Sequence, residues 1–356
     1  MNTSSQSTAG AVSCQQRGVT LIELLIALAF GLVLILATMS VYMANNQTFR
    51  QVENLSRLNE NARIAFELLG REFREAGSTP CGNTQVSNVL NVPNNVNWSM
   101  TQKGITPFGA NQEMPTKAFG SGAAARVQGT DAIIITGSSN DLGIRVESHN
   151  ANAASLKLNK LGGGFQDGEI VLACDFNFAT IFQITNIQAT NVTLVHNTGT
   201  GTPGNCTKVL YKPGEQVSCS STNGAEVTGA SIVKVISTSW YIANNGRGGR
   251  SLYRIVSPSS TPEEMVENVT NMQIEYLVTD AIDSEPFDYV ISSHYGTTIP
   301  RPVGVTSGNY TWWPTNFNIV AARVNLTLET ASTVGTDGKK IIRQVTTVFN
   351  LRNQIY

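Results

Sequence analysis

Apolar and polar positions are arranged in two different ways along this chain. From Leu24 to Ala44 no side chain is charged, and Leu, Ile, Val and Ala dominate. A helix there spans roughly 30 Å at 1.5 Å per residue, the thickness of a hydrocarbon core. Backbone groups in lipid must bond internally, so the pattern predicts a transmembrane helix over residues 19–44. Beyond it, Phe49, Val52, Leu55, Leu58, Ala62, Ala65, Phe66, Leu69 and Phe73 recur at steps of three and four, with Arg and Glu between them. This is an amphipathic extension over 45–76 that lays one stripe on a packed domain. Glu53–Arg57 and Glu67–Arg71 stand in the favourable i,i+4 order. Gly77 and Pro80 stop a helix that is expected to run from about Thr20 to Ala76. The stripe lacks strict heptads, which speaks against a coiled coil.

After Pro80 the texture changes. Residues 83–128 are rich in Asn, Gly, Ser, Pro and Thr and are read as irregular loops with one short element at most. Strand-like runs follow at Asp131–Thr136, Gly143–Glu147, Glu169–Ala173, Thr180–Thr185, Asn191–Val195 and Lys208–Tyr211. A second β-rich region is predicted over 231–356, after a first over 77–230. It holds Ile232–Ile236, Trp240–Ile242, Ser251–Val256 and Met272–Val278. Pro262–Val269 is expected to be a short helix or turn. Asn318–Leu328 and Lys340–Asn350 are expected to form a hairpin across Gly335–Gly338. The run Gly162–Gly164 lacks the Lys and Ser of a phosphate loop and is read as a turn.

Net charge is −1, so no strong field recruits nucleic acid. The three histidines, His149, His196 and His294, lie far apart in sequence, and none of the five cysteines forms a CxxC pair, so no metal site is expected. Asp280, Asp283, Glu285 and Asp288 lack calcium-loop spacing and read as a solvated acidic loop. Tyr310, Trp312 and Trp313 are expected to be buried under the final strands. No Ser-His-Asp or Cys-His constellation and no activated base can be assigned, so no catalytic residues, no cofactor and no enzymatic activity are expected.

The N-terminus is more informative. Residues 1–16 are small and uncharged, and Arg17 and Gly18 precede the apolar run. A secretory signal has a shorter apolar region behind more positive charge. A plain signal anchor fits the length but leaves Glu23 unexplained, one turn inside the apolar segment. An intramembrane carboxylate is expensive and points to function, the plain alternative being one that reaches back to the membrane surface.

The run Arg17-Gly18-Val19-Thr20-Leu21-Ile22-Glu23 resembles the leader junction of type IV prepilins, with Val19 where the family usually has Phe or Met. Further islands resemble PilW-type minor pilins: Gly168–Asp175 with Ile181–Thr185, Ser251–Arg254, Val266–Val269 with Met272–Tyr276, and Leu351–Asn353. The resemblance implies a leader over 1–18, cleavage between Gly18 and Val19 by the prepilin peptidase, N-methylation of Val19, and pairing of Glu23 with a neighbour's first residue during assembly. It implies an α+β fold: a long N-terminal helix, half transmembrane and half amphipathic, packed on an antiparallel sheet with an enlarged second β-rich region.

Charge alone puts Arg50, Arg57 and Arg63 on the wrong side for a head outside the cytoplasm. That orientation rests on the resemblance and on the cysteines. Cys14 falls in the leader. Cys81, Cys174, Cys206 and Cys219 read as a disulfide framework with three connectivities open; Cys206–Cys219 is local, and Cys81–Cys174 would then tie the helix end to the sheet.

The implied function is a minor pilin that waits in the bacterial inner membrane, in contact with lipid, and then joins the pilus or its tip. There it would prime assembly and serve adhesion and twitching motility. Its implied partners are other minor pilins, the major pilin and the inner-membrane assembly platform. Alternatives are a minor pseudopilin of type II secretion and a membrane-anchored periplasmic binding module.

Overall fold

The computed structural model describes residues 18–82, 86–91, 98, 100, 104–139, 142–162, 164–176, 178–199, 201–212, 217–220, 224–280, 286–294, 298–299, 310–311, 317–335 and 338–351. The chain forms two compact units, Met1–Glu53 and Asn54–Tyr356. One helix, α1 (Leu21–Glu75), contributes to both. The fold is α+β, with one long N-terminal apolar helix and several mainly antiparallel sheets.

In the first unit α1 is apolar and solvent-facing. Leu24, Leu28, Leu32 and Leu36 all stand more than half exposed. In the second unit the helix is amphipathic, and Leu58, Ala62, Ala65, Leu69, Gly70 and Phe73 are buried.

The strands of the second unit come in chain order. The first nine are β1 (Ser87–Asn88), β2 (Ile105–Phe108), β3 (Ala132–Ser138), β4 (Val146–Asn150), β5 (Ser155–Leu158), β6 (Ile170–Cys174), β7 (Ala179–Gln183), β8 (Asn186–Gln188) and β9 (Thr193–Val195). Then follow β10 (Ser231–Asn244), β11 (Arg250–Ser257), β12 (Glu263–Glu267), β13 (Val269–Asp280), β14 (Pro286–Ile291), β15 (Thr298–Ile299), β16 (Tyr310–Thr311), β17 (Phe317–Glu329) and β18 (Ile342–Asn350).

An eight-stranded sheet runs β1-β7-β6-β10-β11-β12, with β3 beside β10 and β2 beside β3. A four-stranded sheet runs β14-β13-β17-β18, a second runs β4-β5-β9-β8, and β15 pairs with β16. The strand β10 joins strands from both sides of residue 231: its start pairs with β6, and its remainder with β3 and β11.

The main core shows why these elements assemble. The buried stripe of α1 meets Ile133 and Ile135 of β3, Trp240 and Ile242 of β10, and Met272, Ile274, Val324 and Leu326 of β13 and β17. The Ile run of β3 is covered on both faces, since Ile134 points instead to Phe108, Met114 and Tyr253. A strand buried on both faces reads as continuous apolar sequence, as here. The Phe349 ring stacks on Phe73 at 5.2 Å. A Cβ on Gly70 would lie 2.8 Å from that ring, so glycine lets β18 approach the helix.

Several expected elements differ. Pro262–Val269 is not a helix or turn: Glu263–Glu267 is strand β12, paired with β11. The carboxylate of Glu263 lies 2.6 Å from Arg254, and that of Glu264 lies 2.5 Å from Arg247, so these charges decorate an edge strand. The chain reverses after it at Asn268, with φ 64°. Lys208–Tyr211 forms no strand. Its backbone is held by Thr180, whose hydroxyl donates to Tyr211 O at 2.6 Å and accepts from Tyr211 N at 3.1 Å. The expected strand at 143–147 is shifted to β4, and the one at 191–195 shortens to β9. Ile232–Ile236 and Trp240–Ile242 merge into β10. The final hairpin forms as expected, with β17 and β18 antiparallel.

Candidate functional site

Gly18, Val19 and Glu23 lie together at the start of α1, and all three are exposed. The geometry follows from Thr20. Its side-chain oxygen accepts from Glu23 N at 3.3 Å, while Glu23 Oε2 accepts from Thr20 N at 3.0 Å and from Thr20 Oγ1 at 2.9 Å. This is a reciprocal capping box, which satisfies two backbone donors that a helix start leaves orphaned. The first helical bond, Leu24 N to Thr20 O, closes at 3.1 Å. Glu23 therefore has a local partner within its own chain. The family resemblance alone did not reveal it, although Thr-x-x-Glu before an apolar run is a legible cap signal.

The apolar segment that follows has its polar atoms turned inward. Thr38 Oγ1 donates to Leu34 O and Ile35 O at 3.0 and 2.9 Å, and Ser40 Oγ donates to Ala37 O at 2.8 Å. Hydroxyls that bond back to their own helix need no water, which suits a low-dielectric surround. The helix is long and apolar enough to cross a membrane.

Four cysteines pair as Cys81–Cys174 and Cys206–Cys219, with Cα atoms 6.0 and 5.1 Å apart. The first pair ties the segment just after α1 to the end of β6. The second closes a short loop in which Tyr211 OH donates to Ser218 O at 2.7 Å and accepts from Ser218 N at 3.1 Å. Disulfides of this kind belong to oxidising compartments.

The structure brings together two groups that were far apart in sequence. The rings of His149 and His196 lie 5.7 Å apart, with Phe182 5.2 Å from His196. Burial lowers the pKa of both, pushing His196 down to about 3, and the neighbouring His149 adds to that shift. Two imidazoles are too few for a metal centre, and the described residues contain no group of three or more His, Cys, Asp or Glu that could hold an ion.

A second buried polar cluster also escaped the sequence pattern. Asp131 accepts from Ile274 N at 2.9 Å, and Ser292 Oγ donates to Ile274 O at 2.8 Å. Arg126 is fully buried and donates to Gly109 O and Thr130 O, both at 2.9 Å. Burial pushes the guanidinium down to about 10 and raises the Asp131 carboxyl. Their role is structural: Asp131 precedes β3 and bonds β13, so it joins the two large sheets.

One described cleft, of about 620 Å³, is polar and lined by Asn244, Gly248, Arg250, Thr270 and Glu329 among others. Its charges are already engaged, Arg250 with Thr270 O at 3.1 Å and Glu329 with Lys340 at 2.5 Å. Asp283, Glu285, Trp312 and Trp313, the side chains of Asp280, Asp288 and Tyr310, and leader residues 1–17 with Cys14 lie outside the described residues. Comparison with known proteins found no matching family model, no matching curated protein and no matching solved structure.

Proposed function

We propose that this chain is a type IV prepilin of the minor-pilin class. One observation carries the reading: the ordered run Arg17–Glu23 stands at the head of a solvent-exposed apolar helix. The second half of that helix is buried in a β-rich, disulfide-bonded head. In this reading the peptidase removes 1–18 and methylates the Val19 amine. The apolar half of α1 holds the chain in the inner membrane with the head in the periplasm. On assembly, Glu23 exchanges its Thr20 partner for a neighbour's Val19 ammonium. A buried carboxylate and a buried ammonium are each costly alone and complementary together, which is a physical reason for a subunit to seat in one register. Other minor pilins, the major pilin and the assembly platform are the partners, and adhesion and twitching motility the consequences.

Intact-mass analysis of the membrane-extracted protein tests processing; the chain is expected to begin at N-methylated Val19. A mature chain that retains Cys14 refutes the proposal.

The Thr20–Glu23 box favours a second reading. If Glu23 only caps its own helix, the chain is a membrane-anchored periplasmic module that never enters a filament. Glu23→Ala separates the two. Under the pilin reading the mutant reaches normal membrane levels but is lost from sheared pili. Under the cap reading its distribution matches wild type.

A further inference from the structure

We propose that the sheet β4-β5-β9-β8 is an acid-released cover, which comes off β6 and β7 when the His149–His196 pair takes up protons, while the rest of the second unit stays folded. The inference does not depend on the chain's joining a filament.

The sheet is separable because it serves one core only. Its inward side chains, such as Val146, Leu156 and Leu194, pack with Val171 of β6 and Phe182 of β7. None of its described residues belongs to the cluster under α1, or to the clusters that hold Trp98 and Phe108. Its other face is open to water, with Glu147, Lys157, Asn186 and Gln188 exposed. Strands β6 and β7 keep a second packed face without it, through Ile170, Leu172 and Ile181. Removing the cover therefore strips one face of β6 and β7 and leaves the other three clusters as they are. A segment that packs in a single cluster opens at less cost than the whole head. Once off its core, a small sheet with both faces in water does not hold its ladder.

The two histidines sit where the cover meets that core. His149 lies in β4 and His196 follows β9; their rings are 5.7 Å apart, and the His196 ring lies 5.2 Å from Phe182. His196 is 1 % exposed. Neither of its ring nitrogens, nor Nε2 of His149, makes a hydrogen bond to another described residue. A charged imidazole here has no acceptor, and a second one adds repulsion at close range. Protons are therefore taken up when the pair reaches water, and that uptake holds the cover open.

Charges on the surrounding elements do not offset this. Glu226, ahead of β10, acts on His149 and opposes only part of its shift. Glu147 of β4 and Lys157 of β5 are exposed, and Lys208 donates to Asn152 O at 2.9 Å. Strands β7, β8 and β9 carry no titratable side chain. Burial, with His149 adding to it, holds the pKa of His196 down to about 3 in the closed form, against an ordinary 6.5. A group whose folded pKa is depressed in this way favours the open form as pH falls. Between pH 7 and 5 the opening constant rises about 25-fold from His196 alone.

The test is hydrogen exchange on the full-length chain in detergent from pH 7 to 5, with each rate divided by the intrinsic rate at that pH. The reporters are amides bonded within the cover, Leu158 N–H to Val192 O and His196 N–H to Ala154 O, both at 2.9 Å. The references are amides of β13 and β17. Protection of the reporters is expected to fall about 25-fold or more, starting near pH 6.5. At pH 5 they are expected to exchange at least about tenfold faster than the references. Equal protection of reporters and references at pH 5 means that the head opens as one unit, and overturns the proposal. So does reporter protection that stays constant with pH, or that falls only below about pH 5, where carboxylates titrate. The double variant His149→Gln, His196→Gln is expected to lose the pH response, and a response that persists in it overturns the role of the pair. If that variant misfolds, the wild-type onset and the comparison with the references still decide.

Discussion

The two halves of α1 are both rich in apolar side chains, yet they meet different surroundings. Leu32 and Leu36 are each 62 % exposed, whereas Leu58 and Leu69 are 2 % and 0 % exposed. The second half shows a stripe, because only one side of it has a partner, and charged residues fill the rest. The first half is apolar all round, which is how a helix reads when its whole surround is apolar. One element thus carries two patterns, and the boundary shows first in the charges that reappear at Arg50 and Glu53.

The comparison can be broken most strongly through the disulfide that anchors the end of the second half. Cys81→Ser opens a link of sequence separation 93. It is expected to destabilise the head by about 4–5 kcal/mol in the chain-entropy model, against about 3 for the shorter Cys206–Cys219 loop. Guanidinium unfolding of the detergent-solubilised chain, followed by Trp fluorescence, measures both. If neither variant shifts the midpoint, the links do not staple the head.

Next in size is a matched pair of truncations. Phe73→Ala removes a fully buried ring stacked on Phe349 and is expected to cost about 3–5 kcal/mol. Phe30→Ala, on a 67 % exposed ring, is expected to leave head unfolding unchanged within about 0.5 kcal/mol. Equal losses would mean that the apolar half is packed on the head after all.

No carboxylate, histidine or amine lies between Leu24 and Ala44, so the response of stability to acid is expected from the buried groups of the head. His196 has a folded pKa near 3 against an ordinary value of 6.5. The unfolded chain therefore takes up a proton that the folded chain refuses, and stability falls as pH drops below about 6.5. One such group removes roughly 1.4 kcal/mol per pH unit, so about 2 kcal/mol is lost by pH 5. Unfolding curves of wild type and His196→Gln across that range are expected to differ by this slope. Parallel curves would place the titration elsewhere.

The smallest effect is expected in the first half. Thr20→Ala removes a cap worth about 1 kcal/mol. It should speed hydrogen exchange at the first turn of α1 and leave the unfolding midpoint of the head unmoved.

Much of the helix was legible because its signals are local. The charge-free run, the three- and four-residue steps and the Gly77–Pro80 stop predicted 20–76, and the helix is Leu21–Glu75. The apolar runs of β3, β6, β7, β11 and β17 were legible for the same reason: buried strands concentrate Ile, Val and Leu. Strand β12 was not, because Glu263–Glu267 becomes a strand only when Arg254 and Arg247 stand beside it.

The sequence by itself determined a long apolar helix, an amphipathic continuation and a β-rich remainder, since each depends on spacing along a few turns or one strand. Tertiary structure alone decided which strands are neighbours, that β10 bridges β6 and β3, that the rings of His149 and His196 lie 5.7 Å apart, and that Asp131 bonds Ile274 across 143 residues. It also decided that, among the described strands, β18 ends its sheet. Such pairings are set by the register of distant segments, and no local periodicity encodes them.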